Sequence, residues 1–325
     1  MTDKRVIALC GGIGGAKLAR GLYELIGPDL TVIVNTGDDF EHLGLTISPD
    51  VDTVLYTLAD LNDQQRGWGR ADETWNFMSA LAEVGGETWF QLGDRDLALH
   101  VERTRHLREG QSLTRVVTDV ARRFGISANI LPMSDDPVRT IVVTDDGALP
   151  FQKYFVELRC APAVRAIRFD GADSARVSPD VAAAFRQPHV AAIVICPSNP
   201  YLSVDPVLAV PGMRELLRRA EAPIIAVSPI IGGAAIKGPT TKIMAELGIE
   251  ATNASIARHY DGLIDGLIID RTDAADAPSL PVAVLPTATL MNTLEDRVGL
   301  ARDVLDFAQR LASSKQPARR RYGVG

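Results

Sequence analysis

Glycines and acids able to do chemistry cluster twice within the first sixty residues. The first cluster is Cys10-Gly11-Gly12-Ile13-Gly14-Gly15-Ala16-Lys17, which follows the apolar run Val6 to Cys10 and opens a stretch of helical apolar spacing from Ala16 to Ile26. In a strand-to-helix turn, glycines let backbone N–H groups approach phosphate oxygens, and the helix N-terminus adds partial positive charge. Two familiar patterns are not met. A Walker A loop needs Gly-Lys followed by Ser or Thr, whereas Lys17 follows Ala16 and precedes Leu18; the dinucleotide fingerprint lacks its third glycine, where Lys17 stands. The turn is therefore a phosphate cradle of another kind, built on Gly11, Gly12, Gly14 and Gly15, or a tight structural bend. Lys17 favours phosphate, because a cation in the first helical turn opposes the helix dipole unless an anion sits nearby.

The second cluster is Asn35-Thr36-Gly37-Asp38-Asp39 followed by Ser48-Pro49-Asp50-Val51-Asp52-Thr53. Acids at the carboxyl end of a parallel strand lie where open α/β sheets bind ligands. One acid would satisfy a ribose. Four acids in two pairs fit Mg²⁺ better, bound through one or two carboxylates together with substrate phosphates. Helix capping competes for part of the motif, with Ser48 as N-cap, Pro49 at the first helical position, and Asp50 and Asp52 favourable to the dipole. Asp38 and one of Asp50 or Asp52 remain the metal or substrate candidates.

Further along, Gly67 to Asp96 gathers all three tryptophans, Trp68, Trp75 and Trp89, with Gln91 and Arg95. Such residues make either a slot for a planar ring or the core of a helical insert. Arg95, between Asp94 and Asp96, is a phosphate ligand or an internal ion pair. Cys196-Pro197-Ser198-Asn199-Pro200 and Ser228-Pro229-Ile230-Ile231-Gly232-Gly233 each follow an apolar run, which places Ser198, Asn199, Pro200 and Ser228 at the same sheet edge as the glycine turn. The five histidines show no metal-ligand spacing and read as structural or surface residues; His100 and His106 are six apart and do not share a helical face.

The elements that must position these residues are readable from apolar runs. Val6 to Cys10, Thr31 to Asn35, Ala191 to Cys196, Pro223 to Ser228, Leu267 to Asp270 and Val282 to Leu285 suit strands covered on both faces. The first two, with the helix between them, form a β-α-β unit. Charge-rich amphipathic stretches at about 53–130 predict a helix-rich insert, and alternation at about 140–169, with Asp145-Asp146-Gly147 as a turn, predicts antiparallel strands extending the main sheet. The fold class expected is α/β, a Rossmann-like and mostly parallel sheet with helices on both faces, over residues 1–312. Residues 313–325 lack apolar periodicity and read as a disordered tail.

The 325 residues are 46% hydrophobic, enough for a large core. A net charge of −7 without a basic face argues against nucleic acid. Three scattered cysteines suit a reduced, cytoplasmic protein, and no apolar run reaches the roughly 20 residues needed to span a bilayer.

The ordered set Gly-Gly-Ile-Gly-Gly-Ala-Lys, Val-Asn-Thr-Gly-Asp-Asp, Ser-Pro-Asp-Val-Asp-Thr-Val-Leu-Tyr, Leu-Gly-Asp-Arg-Asp, Leu-Pro-Met-Ser-Asp-Asp-Pro-Val, Pro-Ser-Asn-Pro and Val-Ser-Pro-Ile-Ile-Gly-Gly closely resembles the 2-phospho-L-lactate transferase family. The resemblance implies transfer of a phosphorylated three-carbon acid from its guanosine diphosphate adduct to the deazaflavin alcohol Fo, with release of GMP and a requirement for Mg²⁺, in making coenzyme F-420. It implies a guanylyltransferase and a glutamate ligase as pathway partners, and a homodimer. Carried onto this chain, Gly11 to Lys17 and Pro197 to Pro200 would meet the nucleotide, with Ser228 beside them. Asp38 and Asp50 would be catalytic and hold the metal, while Asp52, Trp89, Gln91 and Arg95 would serve Fo. One position departs: relatives often carry Lys or Arg where Gln91 stands, and a neutral amide can hydrogen-bond Fo but cannot neutralise phosphate. Two other readings of the residues stay open, an NAD-dependent oxidoreductase and a nucleotide-sensing regulatory protein of the same fold.

Overall fold

The computed structural model describes residues 4–235 and 238–320. β1 (Arg5–Cys10) runs through the glycine turn into α1 (Gly12–Ile26), and β2 (Leu30–Val34) returns beside it. A hairpin of β3 (Phe40–His42) and β4 (Leu45–Ile47) leads to α2 (Pro49–Leu58), and α3 (Asn76–Glu83), α4 (Asp94–Arg108) and α5 (Leu113–Arg123) precede β5 (Asn129–Pro132). β6 (Arg139–Thr144), β7 (Gly147–Pro150) and β8 (Val164–Asp170) come next, then α6 (Pro179–Arg186) and β9 (Val190–Ile195). The rest is α7 (Asp205–Ala209), α8 (Met213–Arg219), β10 (Ile224–Val227), the short pair β11 (Ile230–Ile231) and β12 (Ala234–Ala235), α9 (Thr240–Glu246), α10 (Asn253–His259), β13 (Gly266–Asp270), β14 (Ala283–Thr287) and α11 (Leu294–Arg320).

Seven strands form one sheet in the order β14-β13-β10-β9-β1-β2-β5, and every pairing in it is parallel. Successive side chains of a strand face opposite sides, so a strand buried on both faces must be apolar throughout. In β1, Ile7 and Leu9 enter the core on one face, and Val6, Ala8 and Cys10 enter the core on the other. The first core includes side chains from α6 to α10 (Val181, Leu208, Leu217, Met244 and Ile256), the second those of α1, α2, α5 and α11 (Leu18, Leu55, Val117 and Phe307). Truncating Leu9 to Ala, fully buried as it is, would cost about 2–5 kcal/mol. The α/β class with helices on both faces is as the sequence predicts. Each run read as a main-sheet strand is one. β5 was not read as a strand, because Asn129-Ile130-Leu131-Pro132 is short and ends in proline.

Two expectations are corrected. The antiparallel strands do not extend the main sheet: β7-β6-β8 is a sheet of its own. Ser134-Asp135-Asp136-Pro137 turns the chain out of β5, with Ser134 Oγ accepting from the Asp136 N–H at 3.0 Å, and one bond from Thr140 N–H to the Gly37 carbonyl, 2.6 Å, ties β6 to the loop after β2. Asp145 and Asp146 do make the tight turn between β6 and β7. At the C-terminus, α11 continues through residues 313–320, where disorder was expected. Its buried Leu300, Ala301, Val304, Phe307 and Ala308 anchor it, elongation beyond an anchored segment is cheap, and Ser313 and Ser314 bond back to the Gln309 and Leu311 carbonyls at 2.9 and 2.7 Å. Residues 321–325 lie outside the described residues. Among the described residues, no helix is long and apolar enough to cross a membrane.

Candidate active site

β1 has β2 on one side and β9 on the other, so the turns leaving β1 and β9 diverge. Such a switch point opens a crevice beyond the carboxyl ends of the strands. Here it is a cavity of about 560 Å³, and its wall includes Gly11, Gly12, Gly14, Lys17, Asp38, Asp50, Asp52, Gln91, Ser198, Asn199 and Ser228.

The glycine turn is shaped by its protein neighbours. A Cβ on Gly11 would lie 2.6 Å from Asp50 Oδ2 and from Ser203 Cβ; on Gly14, 2.5 Å from the Pro197 carbonyl; on Gly15, 2.5 Å from Ser198 Oγ. Gly12, at φ +63°, needs glycine for its backbone instead. Ser198 Oγ accepts from Gly11 N–H at 3.1 Å and donates to the Gly11 carbonyl at 2.7 Å, and the Gly12 N–H donates to Asp50 Oδ1 at 2.7 Å. The structural reading of the turn thus holds for Gly11, Gly14 and Gly15, while the turn also forms the cavity wall. Lys17 Nζ donates to the Met291 carbonyl at 2.7 Å.

Asp50 and Asp52 are two residues apart on α2, about 200° around the helix, so they face different partners. Asp50 joins Asp38 at Asn35, whose buried amide donates to Asp38 Oδ1 and, at 2.9 Å, to Asp50 Oδ2. Burial, then the charges of Asp50 and Asp39, push the Asp38 carboxyl well above the carboxylate range. Burial also pushes Asp50 up to about 6, against the bonds from Asn35 and Gly12. Nearby, Asp39 is pushed by burial up to about 7, and Asp39 Oδ1 and Thr36 Oγ1 are buried without a hydrogen-bond partner. Two converging buried carboxylates, with the unpartnered oxygens of Asp39 and Thr36 nearby, fit Mg²⁺. Ser48 occupies the N-cap and Pro49 the first turn of α2, as read, but Ser48 Oγ makes no capping bond because it donates to Asp39 Oδ2 at 2.8 Å.

Asp52 faces α4, where Asp96, His100 and Arg103 recur at positions i, i+4 and i+7. Arg103, 1% exposed, grips Asp52 with both Nη atoms; His100 Nδ1 is 3.6 Å from Asp52 and its Nε2 is 3.3 Å from Asp96; Tyr56 donates to Asp96 at 2.6 Å. Burial raises the Asp52 carboxyl in spite of Arg103. Burial would raise Asp96 too, but His100 and Tyr56 hold it below the usual range. Asp52, Asp96 and His100 present ligand atoms within 4.8 Å of one another, yet Arg103 already supplies the positive charge. His100, read as structural or surface, is buried in the cavity wall.

Four of the candidate residues do not line the cavity. Gly15 lies beneath it against Ser198, and Pro200 is buried at the start of the Pro200–Val204 turn. Trp89 packs on Phe40 and His42, with ring centroids 5.9 and 5.1 Å away. Arg95 is exposed, with its N–H on Glu73 at 2.7 Å. Gln91 stands at the wall with its amide donating to the Thr88 carbonyl at 2.8 Å. Asn199 holds the loop: its Oδ1 accepts from the N–H groups of Tyr201 and Leu202, and its Nδ2 donates to Thr240 at 3.0 Å. Ser228 Oγ accepts from the Ile230 N–H at 3.2 Å. The aromatic wall is built from Trp68, Phe90, Tyr56, Phe151 and Phe155, the last two stacked at 5.3 Å. Phe151 and Phe155 were missed, because Phe155 lies in an irregular π-helical turn, Lys153–Glu157, and Phe151 in the short helical segment that leads into it after β7, neither of which has a sequence signature.

The model of the family described as 2-phospho-L-lactate transferase CofD matches residues 6–281. The chain belongs to that family. It is a transferase. A phosphoenolpyruvate transferase of Kitasatospora aureofaciens is 42% identical over 320 residues, covering 94% of this chain and 98% of that relative, and a 2-phospho-L-lactate transferase of Methanosarcina mazei is 42% identical over 272 residues, covering 83% and 88%. In fold, the chain is similar to the crystal structure of a UPF0052-family protein of Bacillus halodurans, with a TM-score of 0.58, 18% identity, and coverage of 94% of this chain and 99% of that one. Membership sets aside the oxidoreductase reading, which the missing third glycine had already weakened.

Proposed function

We propose that this transferase moves a phosphorylated three-carbon acid from its guanosine diphosphate adduct to the terminal hydroxyl of Fo, releasing GMP, in the synthesis of coenzyme F-420. The observation that carries the reading is the convergence of Asp38 and Asp50 on Asn35 beside the glycine turn, in a cavity with an aromatic wall. The names of the relatives support phosphoenolpyruvate or 2-phospholactate as the acid.

Phosphoryl transfer is catalysed mainly by alignment and charge neutralisation. Asp38 and Asp50 would hold Mg²⁺, which when bound neutralises charge on the diphosphate. Asn35 fixes both carboxylates through one amide, so neither can rotate without losing a bond. Gly12 and Ser198 hold the turn against Asp50, which sets the distance between the glycine backbone and the acids. Trp68, Phe90, Phe151 and Phe155 offer flat apolar faces to the deazaflavin ring and exclude water from the reacting end. Asp52, neutralised by Arg103, shapes this wall without adding net charge.

A guanylyltransferase that makes the adduct, a glutamate ligase that uses the product, and assembly as a cytoplasmic homodimer belong to the same reading. The test is a reaction of the purified protein with Fo, Mg²⁺, GTP, the guanylyltransferase and, in separate tubes, phosphoenolpyruvate, 2-phospholactate or 3-phosphoglycerate. A product whose mass equals Fo plus the acid phosphodiester is expected with at least one acid. Absence of product in all three, with the adducts demonstrably formed, would overturn the reading.

A further inference from the structure

Beside the main cavity lies a second one of about 80 Å³, and Ile13, Lys17, Thr53, Trp68, Gly69 and Asn292 belong to both walls. The two differ in charge. The main wall carries Asp38, Asp50, Asp52 and Asp96, whereas the small cavity is lined by Lys17, Arg297 and the amides Asn62, Gln64 and Asn292, with no acid among its lining residues. In a chain of net charge −7 this is a local reversal of sign.

Arg297 is the informative member. It is 8% exposed, and its Nε is buried with no hydrogen-bond partner. No carboxylate forms an ion pair with it among the described residues. Its neighbour Asp296 accepts the N–H groups of Asn292 and Thr293 at 3.0 and 2.9 Å, and Asp60 lies 4.0 Å from Arg20, so both act on Arg297 from beyond ion-pair distance. A buried guanidinium whose Nε has no partner is costly: burial, then the Arg20 charge, depresses its proton affinity, and the charges of Asp60 and Asp296 offset this only in part. Nor can the backbone carry it outward freely, because the Arg297 carbonyl is pressed against α1: a Cβ on Gly21 would sit 2.1 Å from that oxygen. Lys17, held on the Met291 carbonyl, adds a second cation at the same wall.

The geometry points to the Arg297–Lys17 cavity as an anion subsite that takes a compact oxyanion, a carboxylate or a phosphoryl group, at the end of a ligand lying in the main cavity. The cavity is about one-seventh the volume of the main one, a size that suits one such compact group. A planar guanidinium offers paired donors to either oxyanion. This inference rests on the proposed function for the ligand's larger part, and it locates the acid end of the donor outside the metal site.

The experiment titrates inorganic phosphate and, separately, pyruvate into the full-length protein at constant ionic strength, with chloride as the reference anion, by calorimetry and by thermal shift. One anion or both is expected to bind and raise Tm in the wild type, with affinity at least tenfold lower in Arg297→Gln and partly restored in Arg297→Lys. Phosphate binding would assign the phosphoryl end and pyruvate binding the carboxylate end. Gln64 is exposed, so Gln64→Glu keeps the fold while adding a negative charge to the wall, and it too is expected to weaken binding at least tenfold. No binding beyond that of chloride, or equal binding in Gln64→Glu and in folded Arg297→Gln, would overturn the inference. GDP titrated into the wild type reads the proposed function separately, since its guanosine end does not need this subsite.

Discussion

Asp52 and Asp96 reach the cavity wall with Arg103 and His100 behind them, whereas Asp38 and Asp50, one face of α2 away, share only the neutral amide of Asn35. All four acids line one wall, Asp38, Asp50 and Asp52 buried and Asp96 half-buried. Buried carboxylates must be paired, protonated or bound to a cation. The first group has its pairing built in and is complete as protein. The second has no such ion pair among those of the described residues, which is why the proposed function assigns the metal to it, and the comparison distinguishes the two groups more firmly than acid content alone could.

Removing the internal cation should have the largest effect. Arg103→Met leaves Asp52 buried and unpaired, with an expected loss of about 3–5 kcal/mol in urea unfolding; a loss below about 1 kcal/mol would mean the network is not self-compensated. Asp38→Asn or Asp50→Asn should instead spare the fold, with an unchanged circular dichroism spectrum, and lower kcat by about 10² or more, the range for lost electrostatic stabilisation. Near-normal turnover in both variants would remove the metal assignment. Mg²⁺ should raise the Tm of the wild type but not that of the double variant.

The pH dependence of stability should have opposite signs at Asp50 and at Asp96. The folded carboxyl of Asp50 is raised from 3.8 to about 6, so its contribution to stability is present below about 3.8 and lost as pH rises to about 6; in metal-free protein Asp50→Asn should flatten a downward slope over that window. Asp96 is held low, so its contribution is present above the ordinary carboxylate range and lost as pH falls through its folded value. Urea titrations of wild type, Asp50→Asn and Asp96→Asn between pH 3 and 7 would read both, and slopes of the same sign would break the comparison. The smallest effect belongs to Arg95→Ala, outside the cavity and exposed, which should change stability by no more than about 0.5 kcal/mol.

Strands were legible where a run of apolar residues has nowhere to turn a polar face, as in Ala191 to Cys196. The β3–β4 hairpin was not, since each arm has three residues and its turn places Leu43 at φ +53°, a conformation no sequence rule assigns to leucine. In the candidate site, Asp38 was legible from its place after β2 and Asp50 from the Ser-Pro-Asp motif that opens α2. The Asp96, His100 and Arg103 spacing was also in the sequence, but a polar stripe on a helix already read as a charged insert gave no sign that it faced inward. Trp89 and Arg95 sit beside residues that do reach the cavity, Phe90 and Asp96, and neighbours in a chain need not point the same way.

The glycines at the start of α1 leave a further consequence. Because the missing side chains of Gly11, Gly14 and Gly15 are replaced by atoms of Asp50, Ser203, Pro197 and Ser198, the turn works as a joint that fastens the loop after β9 to the head of α2. Neither loop can be reshaped alone: a larger residue at Gly11 would be tolerated only with Ser203 reduced and Asp50 displaced, which would also move the acid from Asn35. Engineering of this cleft would have to change the three segments together.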